Sequence, residues 1–214
     1  MPRLLTPELL DSLPPDHPDA RHSRRDLRLI NRAMGNHRWF ARTLPPLLRP
    51  GESALELGAG TGELGRRLAA RGAAVDGLDR VPRPTAWPAA RAWHVSDLRT
   101  FDGYARYGAV LANLILHHLS DGELAALGAT LNRTARLVLA SEPKRSPRVQ
   151  RLFALVSPLF RANHVTRHDA HVSIAAGFRA DELPRTLGLD PSDWDCRCTP
   201  TVLGAYRLVA VRRP

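Results

Sequence analysis

Ser53-Ala-Leu-Glu-Leu-Gly-Ala-Gly-Thr-Gly-Glu-Leu-Gly65 is the stretch on which the fold turns. A short apolar run breaks at glycines and continues into a helical pattern from Glu63 to about Arg71, which reads as a strand turning directly into a helix. Residues without a Cβ at Gly58, Gly60 and Gly62 let the main chain bend sharply and let a ligand lie against bare backbone. The helix that follows aims the positive end of its dipole at the same place. A nucleoside-bearing cofactor is the expected occupant; a glycine turn without a ligand is the plain alternative.

Two cofactor classes suit such a turn. Gly60-Thr-Gly-Glu-Leu-Gly65 matches the dinucleotide pattern G-x-G-x-x-G, so a nicotinamide enzyme has to be weighed. Glu56 speaks against it: two residues before the first glycine, its carboxylate would lie near a doubly negative diphosphate. The ammonium and sulfonium of S-adenosylmethionine would instead gain from that charge. The combination Glu-x-Gly-x-Gly-x-Gly, at Glu56, Gly58, Gly60 and Gly62, resembles the first motif of class I S-adenosylmethionine-dependent methyltransferases.

Further stations follow in order. Ala74-Val-Asp-Gly-Leu-Asp79 reads as a second strand ending in an acid. At this spacing in a βαβ unit the carboxylate of Asp79 comes to the end of the neighbouring strand, where it can accept both ribose hydroxyls. Asp76 competes for the role but falls mid-strand. Ala92-Trp-His-Val95 reads as a third strand, followed by Ser96-Asp97-Leu98. The resemblance implies an adenine site there, with Asp97 accepting from the exocyclic amine and the Leu98 amide meeting the ring, although an Asp after a strand is also a common turn former. Ala59 and Arg80, beside the turn and the ribose acid, complete the expected cofactor-binding set.

Tyr107-Gly-Ala-Val-Leu-Ala-Asn-Leu-Ile-Leu-His-His-Leu119 is a long apolar run that reads as a central strand covered on both faces. By resemblance Asn113 faces the methionine moiety, while His117 and His118 line the path to the methyl acceptor. Helix capping is the bland alternative for the histidines. His118 is a catalytic candidate because an imidazole titrates near neutrality.

Two regions flank this core. Residues 1 to about 19, with Pro14-Pro15 and Pro18, are expected to be extended and poorly ordered. Helices are expected from Ala20 to Met34, ended by Gly35-Asn36, and from about His37 to Leu48. They either cover a sheet face or form a lid. Asp26 to Trp39 resembles the corresponding segment of methyltransferases encoded beside bacterial type III polyketide synthases, which implies that Asn31, Arg32 and Trp39 lie near the site. After a fifth strand, Arg136 to Glu142, a helix is expected over Arg148 to Arg161, then a polar loop, Asn163 to Ser173. His164, His168, Asp169 and His171 invite a metal, but zinc needs a defined tetrahedral set, so no metal is expected. A His168-Asp169 pair bordering the acceptor pocket makes His168 the second catalytic candidate. A helix over Ala180 to Leu187 and strands near Trp194 to Thr199 and Gly204 to Arg212 close the chain.

Composition narrows the reading. The chain has 214 residues and a formal net charge of +10, nearly all from arginine, with Lys144 as the single lysine. The arginines are scattered, without a basic block or an aromatic-interleaved stripe, which argues against a nucleic-acid partner. No apolar stretch reaches the roughly 20 residues of a membrane span. The first residues lack the pattern of a secretory signal. Cys196 and Cys198 read as reduced thiols, so a cytoplasmic protein is expected.

The expectation is an α/β fold: a doubly wound, mostly parallel seven-stranded Rossmann-like sheet at residues 51–214, with a helical lid at 1–50. The resemblance, to the ubiquinone and menaquinone methyltransferase type in general, implies S-adenosylmethionine as cofactor and S-adenosylhomocysteine as product. The methyl group would go to an oxygen, less readily nitrogen or carbon, of a small aromatic or polyketide-like metabolite. A monomer or homodimer is expected. The alternatives are an rRNA or tRNA methyltransferase, a nicotinamide oxidoreductase, or a non-catalytic module on the same fold.

Overall fold

Short runs of three to eight residues, apolar in the centre of the sheet and alternating or polar at its β6 edge, give the strands β1 (Ala54–Leu57), β2 (Val75–Asp79), β3 (Trp93–Val95), β4 (Ala109–Asn113), β5 (Leu137–Pro143), β6 (Trp194–Pro200) and β7 (Ala205–Arg212). The helices are α1 (Leu9–Ser12), α2 (Pro18–Met34), α3 (Asn36–Thr43), α4 (Glu63–Ala69), α5 (Asp121–Thr134), α6 (Pro147–Val156), α7 (His164–Ala176) and α8 (Glu182–Thr186). They are seen in a computed structural model that describes residues 1–14 and 16–214. Pro15, half of the Pro14-Pro15 pair, lies outside the described residues.

The strands form one sheet in the order β3-β2-β1-β4-β5-β7-β6. Pairs among β1 to β5 are parallel, and β7 runs antiparallel between β5 and β6. Successive strands move outward in one direction from β1 and in the other from β4. The carboxyl ends of these two neighbours therefore open onto the crevice where doubly wound sheets bind ligands. Leu57 pairs with Ala112, so Gly58 and Asn113 leave the sheet side by side.

Alternation along the strands divides the core. Leu55, Leu57, Val110 and Ala112 face Leu124, Leu127 and Leu131 of α5. Ala54, Ala109 and Leu111 face Phe40 of α3 and Leu64 and Leu68 of α4. Two residues beyond Ala54, Glu56 lies on the α4 side of the sheet. Trp87 locks α4 to the sheet: a Cβ at Gly65 would lie 2.4 Å from its ring, and one at Gly62 2.7 Å. No helix of the described residues is long and apolar enough to cross a membrane.

Three expectations need correction. The apolar run through Leu119 is not all strand. β4 stops at Asn113, Leu114 adopts φ 57°, and a 3₁₀ turn spans Leu116–His118. The cause is Glu142 at the end of β5, a fully buried carboxylate that accepts from the backbone N–H of Ile115 (3.2 Å), Leu116 (3.0 Å) and His117 (3.3 Å). Hydrogen-bonding to a carboxylate replaces the sheet ladder, and the chain curls round it.

Asn163 to Ser173 is not a loop but most of α7. Asn163 caps it by accepting from Thr166 N at 2.9 Å, and Val165, Val172 and Ile174 are buried. His164, His168 and His171 fall on its exposed side. The described part of residues 1–19 is also not a loose extension. Arg3 donates to the carbonyls of Ala176 (2.8 Å) and Leu119 (2.7 Å), and Asp169 caps α1 by accepting from Leu9 N (2.8 Å) and Leu10 N (3.0 Å). These contacts make the amino-terminal segment a strap across the carboxyl ends of the strands.

Glu142→Ala should lower unfolding free energy by about 3 kcal/mol or more, since it leaves the N–H groups of Ile115, Leu116 and His117, the last two buried, and the buried His117 ring without their acceptor. Urea denaturation followed by circular dichroism reads this; an unchanged midpoint would show that the turn does not depend on the carboxylate.

Candidate active site

The glycine turn is held in the left-handed region, with φ 59° at Gly58 and 55° at Gly60. The two positions differ in surroundings. A Cβ on Gly58 would lie 2.6 Å from Ile115, whereas one on Gly60 meets nothing closer than 4.0 Å and would project into open space. Gly60 N donates to Asp79 Oδ2 at 2.6 Å, and Val81 N donates to Oδ1 at 3.0 Å. The acid at the end of β2 is thereby fixed against the turn. Asp76 is committed elsewhere, to Ala92 N, Arg91 and the Tyr107 hydroxyl.

Two cavities meet at this turn. One, of about 700 Å³, lies between α2, α6 and α7 and takes in Glu56, Gly58, Ala59, Gly60 and Asn113. The other, of about 530 Å³, lies under the strap and takes in Asp79, Arg80, Asp97 and Leu98. Gly58, Glu8 and His118 border both. Of the residues singled out in the sequence for cofactor binding, only Gly62 lines neither; it sits under Trp87, where its lack of a side chain serves packing.

Glu56 is 3% exposed, and its Oε2 has no hydrogen-bond partner. Burial, reinforced by the charge of Asp79 and opposed by a contact with the Gly65 amide, pushes its carboxyl up to about 8. Nearby, Asn31 Oδ1 accepts from Asn36 Nδ2 (3.0 Å) and Asn113 Nδ2 (3.2 Å), which ties α2 to the end of β4. This leaves Asn113 Oδ1 buried and unpartnered. Asn31 thus reaches the larger cavity, whereas Arg32 and Trp39 line neither; Trp39 packs edge-on to Phe40 beneath Arg207.

Asp97 is held well below the usual carboxylate range, to about 2, chiefly by Arg99, which donates to both of its oxygens. Arg99 also donates to Glu123 at 2.8 Å. Asp97 keeps one lone-pair site on Oδ2 for a further donor.

At the junction of the cavities stands a column of ionisable groups. Glu142 Oε2 lies 2.7 Å from His117 Nδ1, and His117 Nε2 lies 3.7 Å from Glu8 Oε1, which is 3.8 Å from His118 Nε2. Burial acts to lower the His117 pKa, but Glu142 and Glu8 outweigh it and raise the ring to about 9. His118 is lowered, by partial burial and by the neighbouring His117 charge. Glu8 is held ionised by the two histidines and by the Ser173 hydroxyl, against the effect of its own burial. Sequence reading missed Glu8 and Glu142. Thr6-Pro7-Glu8 before Leu9-Leu10 has the composition of a helix start, a signal for α1 but not for a site.

His168 is not brought to this junction. It lines neither cavity, its side chain is 41% exposed, and its Nδ1 lies 2.9 Å from Asp169, whose oxygens already cap α1.

The Glu56 carboxyl ordinarily titrates near 4.5, and in the fold near 8, so between these values the folded protein holds a proton that the unfolded chain has lost. Stability of the ligand-free protein must therefore fall as pH rises through this window. Glu56→Gln removes the effect: thermal unfolding should place the variant about 5 °C or more above the parent at pH 9 and within about 1 °C at pH 5. A parent that is the more stable at pH 9 would mean the carboxylate is compensated in the fold.

No protein-family model matches the chain, and no curated protein matches it in sequence. Solved structures do. The plantazolicin methyltransferase BpumL in complex with S-adenosylhomocysteine superposes with a TM-score of 0.70 at 12% identity, over 93% of this chain and 92% of that one. The pyocyanin biosynthetic protein PhzM gives 0.60 at 19% identity, over 92% of this chain and 60% of its own. Magnesium protoporphyrin IX methyltransferase from Synechocystis PCC 6803, with bound S-adenosylmethionine, gives 0.54 at 19%, over 89% and 84%. The chain has the α/β Rossmann-like methyltransferase fold.

Proposed function

We propose that this chain is an S-adenosylmethionine-dependent methyltransferase acting on an oxygen of a small, aromatic or polyketide-like metabolite. One observation carries the reading. The glycine crevice holds a buried carboxylate oxygen on Glu56 and a buried amide oxygen on Asn113, neither with a partner. Both line the larger cavity. A group with a positive charge and several N–H donors, such as the ammonium of a methionine moiety, satisfies both and stabilises the ionised carboxylate; a diphosphate brings only acceptors and would oppose that ionisation. When bound, the cofactor supplies a methyl carbon activated by a sulfonium.

Residues of this chain supply the rest. Asp79 accepts from the ribose hydroxyls at the end of β2, and Asp97 and Leu98 meet the adenine in the cavity under the strap. Open space above Gly60 admits the ligand to the backbone. The larger cavity, walled by Leu27, Ile30, Met34, Leu152, Phe153 and Phe160, has the apolar character that a flat aromatic acceptor needs. Methyl transfer from a sulfonium loses charge at sulfur, so alignment and exclusion of water matter more than charge stabilisation. His118, held neutral where the cavities join, is placed to receive the proton that an attacking hydroxyl gives up. Enclosure beneath the strap suits a free metabolite better than a nucleotide within an RNA strand.

Titration calorimetry with S-adenosylhomocysteine tests the assignment of the ribose acid. Asp79→Ala should weaken binding by about 3 kcal/mol, or more than 100-fold, through loss of two charge-assisted hydrogen bonds. Unaltered affinity would remove Asp79 from the site. The acceptor is sought by incubating cell extract with enzyme and isotopically labelled methyl donor, then finding by mass spectrometry the metabolite that gains label on oxygen; label on nitrogen or carbon would correct the acceptor atom.

A further inference from the structure

We propose that Glu8, His117 and His118 form a divalent-cation site at the neck between the two cavities. A carboxylate oxygen and one nitrogen from each imidazole all lie within 4.8 Å of one another. The oxygen is 3.7 Å from one nitrogen and 3.8 Å from the other. Ligands around a tetrahedral ion with bonds near 2.0–2.1 Å stand about 3.3 Å apart, so the two oxygen–nitrogen pairs need close by only about half an ångström, while the two rings must approach by up to about 1.5 Å. The imidazoles already lie together, with ring centroids 4.2 Å apart.

What separates this cluster from a chance gathering of charge is the group behind it. Glu142 is fully buried, accepts three backbone N–H groups, and lies 2.7 Å from His117 Nδ1. A carboxylate on the far nitrogen is the arrangement that orients metal-bound histidines: Nδ1–H donates to Glu142, and a cation at the neck would displace the proton that the free protein holds on Nε2, releasing it to solvent. The Ser173 hydroxyl donates to Glu8 and fixes the second ligand, while Arg3 ties down the strap that carries it. His164, His168 and His171, the histidines the sequence brought to notice, are on the exposed side of α7 and take no part.

Two imidazoles and one carboxylate suit zinc, cobalt(II) or iron(II) better than magnesium or calcium. Three protein ligands leave a position open, as in catalytic rather than structural sites. Because Glu8 and His118 border both cavities, that position faces the point where donor and acceptor must meet. The role of the cation rests on the methyl-transfer reading. It would hold the acceptor hydroxyl and lower its pKa. With the cation bound, the proton leaves to solvent, the oxygen–methyl bond forms as the carbon–sulfur bond breaks, and His118 is a ligand; its role as proton acceptor belongs to the cation-free protein. The acceptor this favours is a phenol or enol.

The test is a titration of the full chain, stripped with chelator and dialysed, with cobalt(II) under visible spectroscopy, alongside calorimetry with S-adenosylhomocysteine on the same samples. The expected result is one cobalt per chain with the intense d–d bands of a four- or five-coordinate ion. Glu8→Gln and His118→Ala, both on surface-bordering groups, should lose about 100-fold or more in cobalt affinity while keeping their circular dichroism, and His164→Ala should bind as the parent does. No uptake, or uptake that both variants leave unchanged, overturns the site. S-adenosylhomocysteine binding without cobalt binding would overturn the cation site and leave the methyltransferase reading standing. Cobalt binding without nucleoside binding would support the site and overturn the reading of its role.

Discussion

A carboxyl buried with one oxygen unpartnered and no counter-ion is costly to ionise, and Glu56 is such a group. It lies on the α4 face of β1 in a position that an apolar side chain would fill with less strain on the fold. The cost is tolerated at the crevice between β1 and β4, where the sheet order reverses and where glycines expose the main chain. The cofactor side of the crevice is arranged around this carboxyl. Asp79 and the Gly60 amide shape the turn in front of it, Trp87 wedges α4 over it, and the Asn31-Asn36-Asn113 chain brings α2 alongside it.

A second carboxylate, Glu142, organises the other half. It stops β4, curls residues 115–117 round itself and fixes His117, which faces Glu8 on the strap. The strap is itself anchored by Arg3 and Asp169. Closing the cavities and completing the cluster at their neck are thus one structural event. A segment that loosened would open the site and remove a charged group from it together.

Reading the chain alone pointed to a doubly wound, mostly parallel seven-stranded sheet and to most of the residues that line the two cavities, because those features are local. The glycines, the acid at the end of β2 and the apolar run into Asn113 each announce themselves within a few residues. What stayed hidden depends on partners far away in sequence. Glu142 looks like the tail of a strand until its contacts 25 to 27 residues back are known. Asp169 looks like half of a catalytic pair until it is seen capping Leu9 across 160 residues. The polar stretch from Asn163 reads as loop because polar Thr166 and Asp169 share the buried face of its helix with Val165 and Val172, turned inward to Asp26 and α1. Glu8 was lost with them, since nothing in a proline-rich amino terminus says that it will be pinned over a histidine turn.

The central claim is that the uncompensated Glu56 carboxyl is completed by the ammonium of a bound methionine moiety. Calorimetry of S-adenosylhomocysteine binding at pH 7, repeated in buffers of different ionisation enthalpy, counts the protons exchanged. With the carboxyl near 8 in the free protein, tight binding should release close to one proton, and Glu56→Gln should abolish the release. Tight binding with no proton released, or tight uptake of a nicotinamide dinucleotide in place of the nucleoside, would contradict the account.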